Sequence, residues 1–587
     1  MSLLTSLARA YDRLPDAPPF GFSTEKIAML ISVRDDGRAT VIDLRSDEKK
    51  RPPRMLMVPQ AVKRTAGVAP NFLWDKTAYV LGLTAGEGKR TALEHQAFKD
   101  RHAEWLSGSD DPGLLAFLRF LAIWTPDQSL PGMTDDLRDQ NAIFAYEPDR
   151  LSGLWLHDRP VAREIWRKKA GADAAGAQMC LVNGEMAPVA RLHPSIKGVW
   201  GAQSSGAALV SFNLDAFASY GHEQGDNAPV SEAAAFAYTT ALNRFLTRDS
   251  GHRVQIGDAS TVFWADGSGV ETKASEGLFF AMMGGGDAAD ATAEDKIATA
   301  EMKLRLEMIQ QGTALAQIAP KLADGVRFHI LGLAPNAARL SVRFHYEDDF
   351  GKLVANYQNH LDNLALNPPP RDGFPPLWRY LQELAVLGKR ENVPPNLAGD
   401  WMRAILTGQP YPLTLLSTTL MRLRGDGDVN ALRAGIMKSV LIRNLKLEVP
   451  VALDPTCKDK GYVLGRLFAI YEEVQRAALG GNVNATIKDK FYGAASATPQ
   501  KVFAVLDRSS ANHFAKLRKQ SPGWAVNLEK LLTSITEVME PGRNPIPVAL
   551  SSAEQAMFGI GYYHQRSESF RKRAAQTDLT DLMEISE

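Results

Sequence analysis

The hydrophobic pattern along the chain changes character at a proline-rich break, and that change organises the reading. At the start, Leu3, Leu4, Leu7, Tyr11 and Leu14 share one helical face. Apolar residues then gather into short β-rich runs. Residues 27–44 hold two such runs around Asp36-Gly37, a hairpin signal, and residues 54–59 read as a further strand. Helical spacing returns over 93–105 and 114–124. A mixed region continues to about residue 280, where Met283-Gly284-Gly285-Gly286-Asp287 breaks it. The polar, Ala-rich stretch after it, to about residue 310, is expected to be a linker. Residues 326–346 read as two strands around a Pro335-Asn336 turn, with a helix over 350–366.

Residues 367–376 carry five prolines, which stop both helix and strand. Beyond them the apolar pattern is helical almost to the end, and Ser551 with Glu554 makes a capping box for the final helix. The expected fold class is α+β: a mixed α/β N-terminal region with β-hairpin modules, then an all-α C-terminal helical bundle. Four segments follow: 1–285, a linker plus hairpin and helix over 286–370, a helical connection over 371–446, and a bundle over 447–587.

Composition adds bounds. A chain of 587 residues with 45% hydrophobic and 23% charged residues can bury large cores. Its formal net charge is zero, so global charge names no partner. The two cysteines, Cys180 and Cys457, lack any CxxC spacing and are expected to be reduced thiols. Arg9, Asp12 and Arg13 interrupt any signal-peptide core, and the longest apolar run, 114–124, is too short for a bilayer. A cytoplasmic protein without membrane contact is expected.

Catalytic signatures are missing. The stretch Gly86-Glu87-Gly88-Lys89-Arg90-Thr91 looks like a phosphate loop, yet a Walker A motif would need glycine at Leu83 and a hydroxyl at Arg90. It reads instead as a Gly-rich turn into a helix, with Lys89 and Arg90 available to phosphate. There is no HExxH and no G-x-S-x-G. The His157-Asp158 doublet and the pair His95 and His102 read as local structure, so no metal, cofactor or enzymatic activity is expected.

Binding chemistry is better represented. Lys63, Arg64, Asn71, Lys76 and Tyr79 fall within 17 residues, and cations suit phosphates while amides suit base edges. Residues 221–229 form an irregular loop carrying Gln224 and Asn227, ahead of a helix that Ser231 can cap. The neutral total also hides a basic region. From Met437 to Ala575 there are 20 Lys/Arg against 12 Asp/Glu. Asn512, Lys516 and Lys519 are in helical phase, Arg518 lies beside them, and Arg566, Arg571, Lys572 and Arg573 cluster on a later helix. Such a face suits a polyanion.

Three long stretches carry a resemblance: GVAPNFLWDKTAYVLG, VSFNLDAFASYGHEQGDNAPVSEAAAFAYTTALN and LGLAPNAARLSVRFHY. They resemble the large subunit of the type I-C CRISPR Cascade, in order and over essentially the whole chain. The resemblance implies a non-catalytic subunit of a crRNA-guided antiviral complex. It would hold the crRNA 5′ end, recognise the protospacer-adjacent motif (PAM) in duplex DNA, and assist duplex opening into an R-loop, while the guide reads sequence by pairing. Implied partners are crRNA, target duplex and displaced single strand, the backbone and crRNA-processing subunits, and a separate helicase–nuclease. A free small subunit made from the same gene, starting near Met437 or Val463, is also implied. Asn71, Lys76, Gln224 and Asn227 would then meet PAM-proximal DNA. Lys63, Arg64, Lys89 and Arg90 would hold phosphates, and Lys516, Arg518, Lys519, Arg571, Lys572 and Arg573 would line the strand path. The competing classes are a nuclease, a general single-strand binder and a scaffold without DNA contact.

Overall fold

The computed structural model describes residues 2–15, 17–46, 51–62, 64, 67–170, 177–248, 250–267, 269–284, 293–371, 373–389, 392–480 and 485–584. The fold is α+β, with the sheets in the N-terminal half and helices alone beyond residue 350. The chain forms two compact units: Met1–Pro194 with Val210–Ala241, and Ser195–Leu209 with Leu242–Glu587.

The first unit holds strands β1 (Phe22–Ile27), β2 (Met29–Val33), β3 (Ala39–Asp43), β4 (Arg54–Pro59), β5 (Trp74–Lys76), β6 (Asn141–Tyr146), β7 (Ala177–Met179) and β8 (Met186–Pro188). The expected hairpin at Asp36-Gly37 is β2–β3, with Gly37 at φ +80°. Its sheet runs β3-β2-β6-β5, with β2 and β6 parallel. Both faces of that sheet are covered, which is why β2 reads as an unbroken apolar run. Met29, Ile31 and Phe144 meet Phe98 and Phe117 of the helices Thr91–Trp105 and Pro112–Ile123. The alternate residues Leu30 and Ile143 meet Val58 and Trp74.

The second unit begins with a four-stranded antiparallel sheet, β12-β11-β10-β9, of β9 (Arg253–Ile256), β10 (Ala259–Ala265), β11 (Arg327–Asn336) and β12 (Arg339–Asp349). The hairpin expected as its own small module therefore completes a sheet with strands far upstream of it. Phe263, Phe328, Ile330 and Phe344 form its apolar face, against the helices Val270–Met282 and Phe350–Leu364. One continuous apolar cluster runs from this sheet through the helices Ala431–Leu445, Lys460–Leu479, Pro499–Gln520 and Ser552–Glu584.

One sequence expectation needs correcting. The stretch read as a linker forms the helix Ala293–Gln310. Its Ala, Glu, Lys and Met content favours helix, and Met302, Leu306 and Ile309 reach the apolar cluster. Polarity alone had suggested a linker, although a helix needs only one apolar stripe.

The helices Lys460–Leu479 and Ser552–Glu584 pack backbone against backbone. A Cβ on Gly461 would sit 2.0 Å from the Glu554 carbonyl oxygen, and one on Gly465 would sit 2.0 Å from that of Phe558. From the other helix, a Cβ on Gly561 would lie 2.2 Å from the Tyr462 carbonyl oxygen. The two backbones touch directly, and polar side chains span the same seam. Tyr462 Oη lies 3.0 Å from His564 Nδ1, and Arg466 Nε donates to Gln565 Oε1 at 3.1 Å. Gly465→Ala is expected to cost about 3 kcal/mol, read as a lower denaturation midpoint.

Each unit also buries a neutral histidine. His102 Nε2 accepts the Leu73 N–H at 2.9 Å while Nδ1 donates to the Phe98 carbonyl at 2.8 Å. Burial pushes its pKa down to about 3, and burial does the same to His360. Below the ordinary value near 6.5 the unfolded chain takes up protons that these folded imidazoles refuse. Stability is thus fully present above that value and declines as pH falls toward 3. The expected slope is about 1.4 kcal/mol per pH unit per histidine. Thermal melts from pH 7 to 5 check this, and a flat profile would contradict it.

Candidate nucleic-acid interface

In the first unit, Arg64, Asn71 and Lys76 are tied together by one buried carboxylate. Asp75 accepts the Asn71 N–H at 2.9 Å and the Lys76 N–H at 2.8 Å, and it pairs with the Arg64 guanidinium. Burial raises its pKa, and Arg64 is the strongest influence lowering it. The Arg64 guanidinium carbon also lies 4.1 Å over the Tyr79 ring. Asn71 is only 4% exposed, and its Oδ1 accepts the Val62 N–H at 2.9 Å. The structure therefore commits Arg64 and Asn71 to the chain's own interior, one to a carboxylate and one to a backbone amide. Lys76 is exposed at the start of the short helix Thr77–Val80. Lys63 lies outside the described residues. Lys89 and Arg90 are exposed on the turn before Thr91, and Lys89 pairs with Glu87 at 3.3 Å.

The loop at 214–228 is closed by Asn227. Its Oδ1 accepts the Ser219 N–H at 2.8 Å, and its Nδ2 donates to the carbonyls of His222 at 3.2 Å and Gln224 at 3.0 Å. Gln224 sits at φ +47° and accepts a 2.5 Å hydrogen bond from Arg191 Nε. Gly225 meets the Ala190 backbone so closely that a Cβ would lie 2.0 Å from its carbonyl oxygen. At the tip, Tyr220 is 101% exposed with a backbone φ of +52°. An L-residue with a ring side chain rarely adopts that conformation, and such outliers concentrate at functional positions. Leu214 and Phe217 add exposed apolar surface to the same loop.

Residues 60–62 of the first stretch line a cleft of about 550 Å³ within the first unit, and the loop at 214–228 reaches it through the bond from Arg191 to Gln224. Gln60 and Val62 form one wall, Arg191 and Leu192 another, with Trp166 and Phe236 as apolar lining. Asn71 fixes Val62 and Gln224 fixes Arg191. Two of the amides singled out from sequence, Asn71 and Gln224, thus support the walls of one cleft. An arginine beside an aromatic-lined cleft suits a nucleobase and its phosphate.

In the second unit the helix Pro499–Gln520 buries Val502, Phe503, Leu506, Phe514 and Leu517. Lys501, Arg508, Asn512, Lys516 and Lys519 are exposed on the opposite side, in helical phase. Among the described residues none of these four cations has a carboxylate within ion-pair distance. The stripe is roughly 27 Å long at 1.5 Å per residue. Arg518 is exposed but paired with Glu529, and Arg571 is paired with Glu568 at 2.6 Å. Lys572 and Arg573 lie on the helix Ser552–Glu584, with side chains outside the described set.

Sequence reasoning missed Tyr220, Arg191, Lys501 and Arg508. The signal for Tyr220 was an aromatic just before a glycine in a polar loop, and Lys501 and Arg508 extend the phase of Lys516 upstream. The histidines set aside earlier are structural. His157 is buried, with Nε2 3.0 Å from the Met57 carbonyl, and His95 Nδ1 lies 2.8 Å from that of Tyr79. Both cysteines are free thiols. No described helix is long and apolar enough to cross a membrane.

Asn227→Ala removes three hydrogen bonds that close the loop. It is expected to raise protease cleavage within 214–228 at least several-fold, while the melting temperature moves little because the loop is exposed.

No curated protein matches the chain in sequence. The family model Cas_Csd1, described as a CRISPR-associated protein, matches residues 7–570. That span takes in the front-half cleft, the loop bearing Tyr220 and the basic stripe, and by it the chain belongs to the Cas_Csd1 family of CRISPR-associated proteins.

Proposed function

We propose that this chain is the large subunit of a type I-C Cascade, a cytoplasmic crRNA-guided complex that surveys duplex DNA. In this reading the first unit contacts the crRNA 5′ end and reads the PAM, and the second guides target and displaced strands through the R-loop. The chain cuts nothing itself, and a separate helicase–nuclease is recruited for cleavage. The observation that carries the reading is the stripe of Lys501, Arg508, Lys516 and Lys519, four exposed cations aligned with the axis of one helix. A linear run of unpaired charge fits a strand of phosphates better than a compact ligand. The cleft beside Arg191 and the exposed Tyr220 ring support base contact by the first unit.

A free small subunit belongs to the same proposal. Met437 lies in the middle of the helix Ala431–Leu445, and Val463 lies in the first turn of Lys460–Leu479. Either start would keep the helices from residue 487 onward whole.

The test is binding of the reconstituted complex, with guide RNA, to duplexes that differ only in the PAM. PAM preference is expected to fall at least tenfold when this chain is omitted. Discrimination that survives omission would reject the reading. Lys516→Glu with Lys519→Glu is expected to weaken target binding and flatten its dependence on log salt by about 1.4, near 0.7 per single-strand phosphate contact. An unchanged slope would favour a scaffold without DNA contact, whereas strong binding without guide or PAM would favour a general single-strand binder.

A further inference from the structure

Strands β11 and β12 gather a donor set that the sequence hides. His329 faces Glu347 across the ladder, and His345 stands two residues before Glu347 on the same face. One donor atom from each of these three side chains lies within 4.8 Å of the others. His329 is 0% exposed, yet neither of its ring nitrogens makes a hydrogen bond, and His345 Nε2 is likewise buried without a partner. A buried imidazole nitrogen such as His345 Nε2 is costly without a partner, and the carboxylates near His329 do not meet its nitrogens in hydrogen-bond geometry, so the arrangement has room for an ion between the three side chains.

The surrounding groups define what fits. His329 Nδ1 lies 3.8 Å from Glu347 Oε2, and its Nε2 lies 3.2 Å from Asp266 Oδ2. A carboxylate behind a histidine is the arrangement that fixes a metal-bound imidazole and strengthens it as a ligand. The Trp264 ring stacks on His329 at 5.1 Å and holds its plane. Glu347 Oε1 accepts from Arg327 at 2.7 Å, which leaves Oε2 toward the histidines. Donors on a shared zinc-class ion, each at about 2.0–2.2 Å, sit roughly 3.4 Å apart, so shifts of about 1 Å close the set.

We propose that His329, His345 and Glu347 bind a zinc-class divalent cation, with Asp266 orienting His329 and a fourth position left to water. Two imidazoles and one carboxylate favour zinc or cobalt over calcium or magnesium, which prefer oxygen donors. The ion ties β11 to β12 and, through Asp266, to the end of β10. The site is independent of the DNA-binding reading above.

The test uses the full chain, stripped with chelator and titrated with cobalt(II). One equivalent is expected to bind, with visible absorption of a low-coordinate nitrogen–oxygen site and a rise in melting temperature. His345→Ala and Glu347→Gln are each expected to weaken binding at least tenfold, and Asp266→Asn ten- to a hundredfold through His329. His345 and Glu347 are partly exposed, so those variants keep the test valid if a change at His329 impairs folding. Three results would overturn the proposal: no cobalt bound at micromolar concentration, binding unchanged in both His345→Ala and Glu347→Gln, or a spectrum dominated by thiolate charge transfer. The first would leave His329 bridging Asp266 and Glu347 without an ion.

Discussion

The second unit depends on two helix backbones being allowed to touch. Gly461 and Gly465 on one helix and Gly561 on the other remove the side chains that would hold helix axes 8–10 Å apart. That approach sets the depth at which Tyr462, Arg466, His564 and Gln565 meet, so each finds a partner inside the seam. It also sets where the outer helices lie. The helix Pro499–Gln520 buries its apolar side against the first helix of this pair, with Phe503 meeting Tyr471, and its basic side is thereby turned outward. Electrostatics on the surface follows from a steric allowance in the core.

Local structure was legible in the sequence wherever one signal dominated. Asp36-Gly37 gave its hairpin, and Ser551 with Glu554 gave its capping box. Pairing across distance was not legible. Nothing in residues 259–265 announces that they pair with 328–333, because strand partners are chosen by packing after collapse. The closely spaced glycines of the central seam were equally silent, since a glycine in a helix reads as a weakness until its neighbour is known.

The candidate site shows the same division more sharply. Residue type located the right neighbourhoods and could not assign the roles. Asn71 and Gln224 have base-reading chemistry, and each instead fastens one wall of a cleft. Arg64 has phosphate-binding chemistry and instead offsets the burial of Asp75. A polar side chain serves either solvent or the interior, and only burial decides which. By contrast, Lys516 and Lys519 were read from phase alone and do stand exposed, because helical periodicity carries direction as well as identity.

The loop closed by Asn227 holds its shape with its own hydrogen bonds before any partner arrives. Its backbone entropy is already spent, and the Tyr220 ring has only two side-chain torsions left to freeze. A partner stacking on that ring would gain a broad apolar contact without ordering the segment that presents it. For such a partner the strained backbone at Tyr220 would be pre-organisation, with the conformational cost met at folding rather than at encounter.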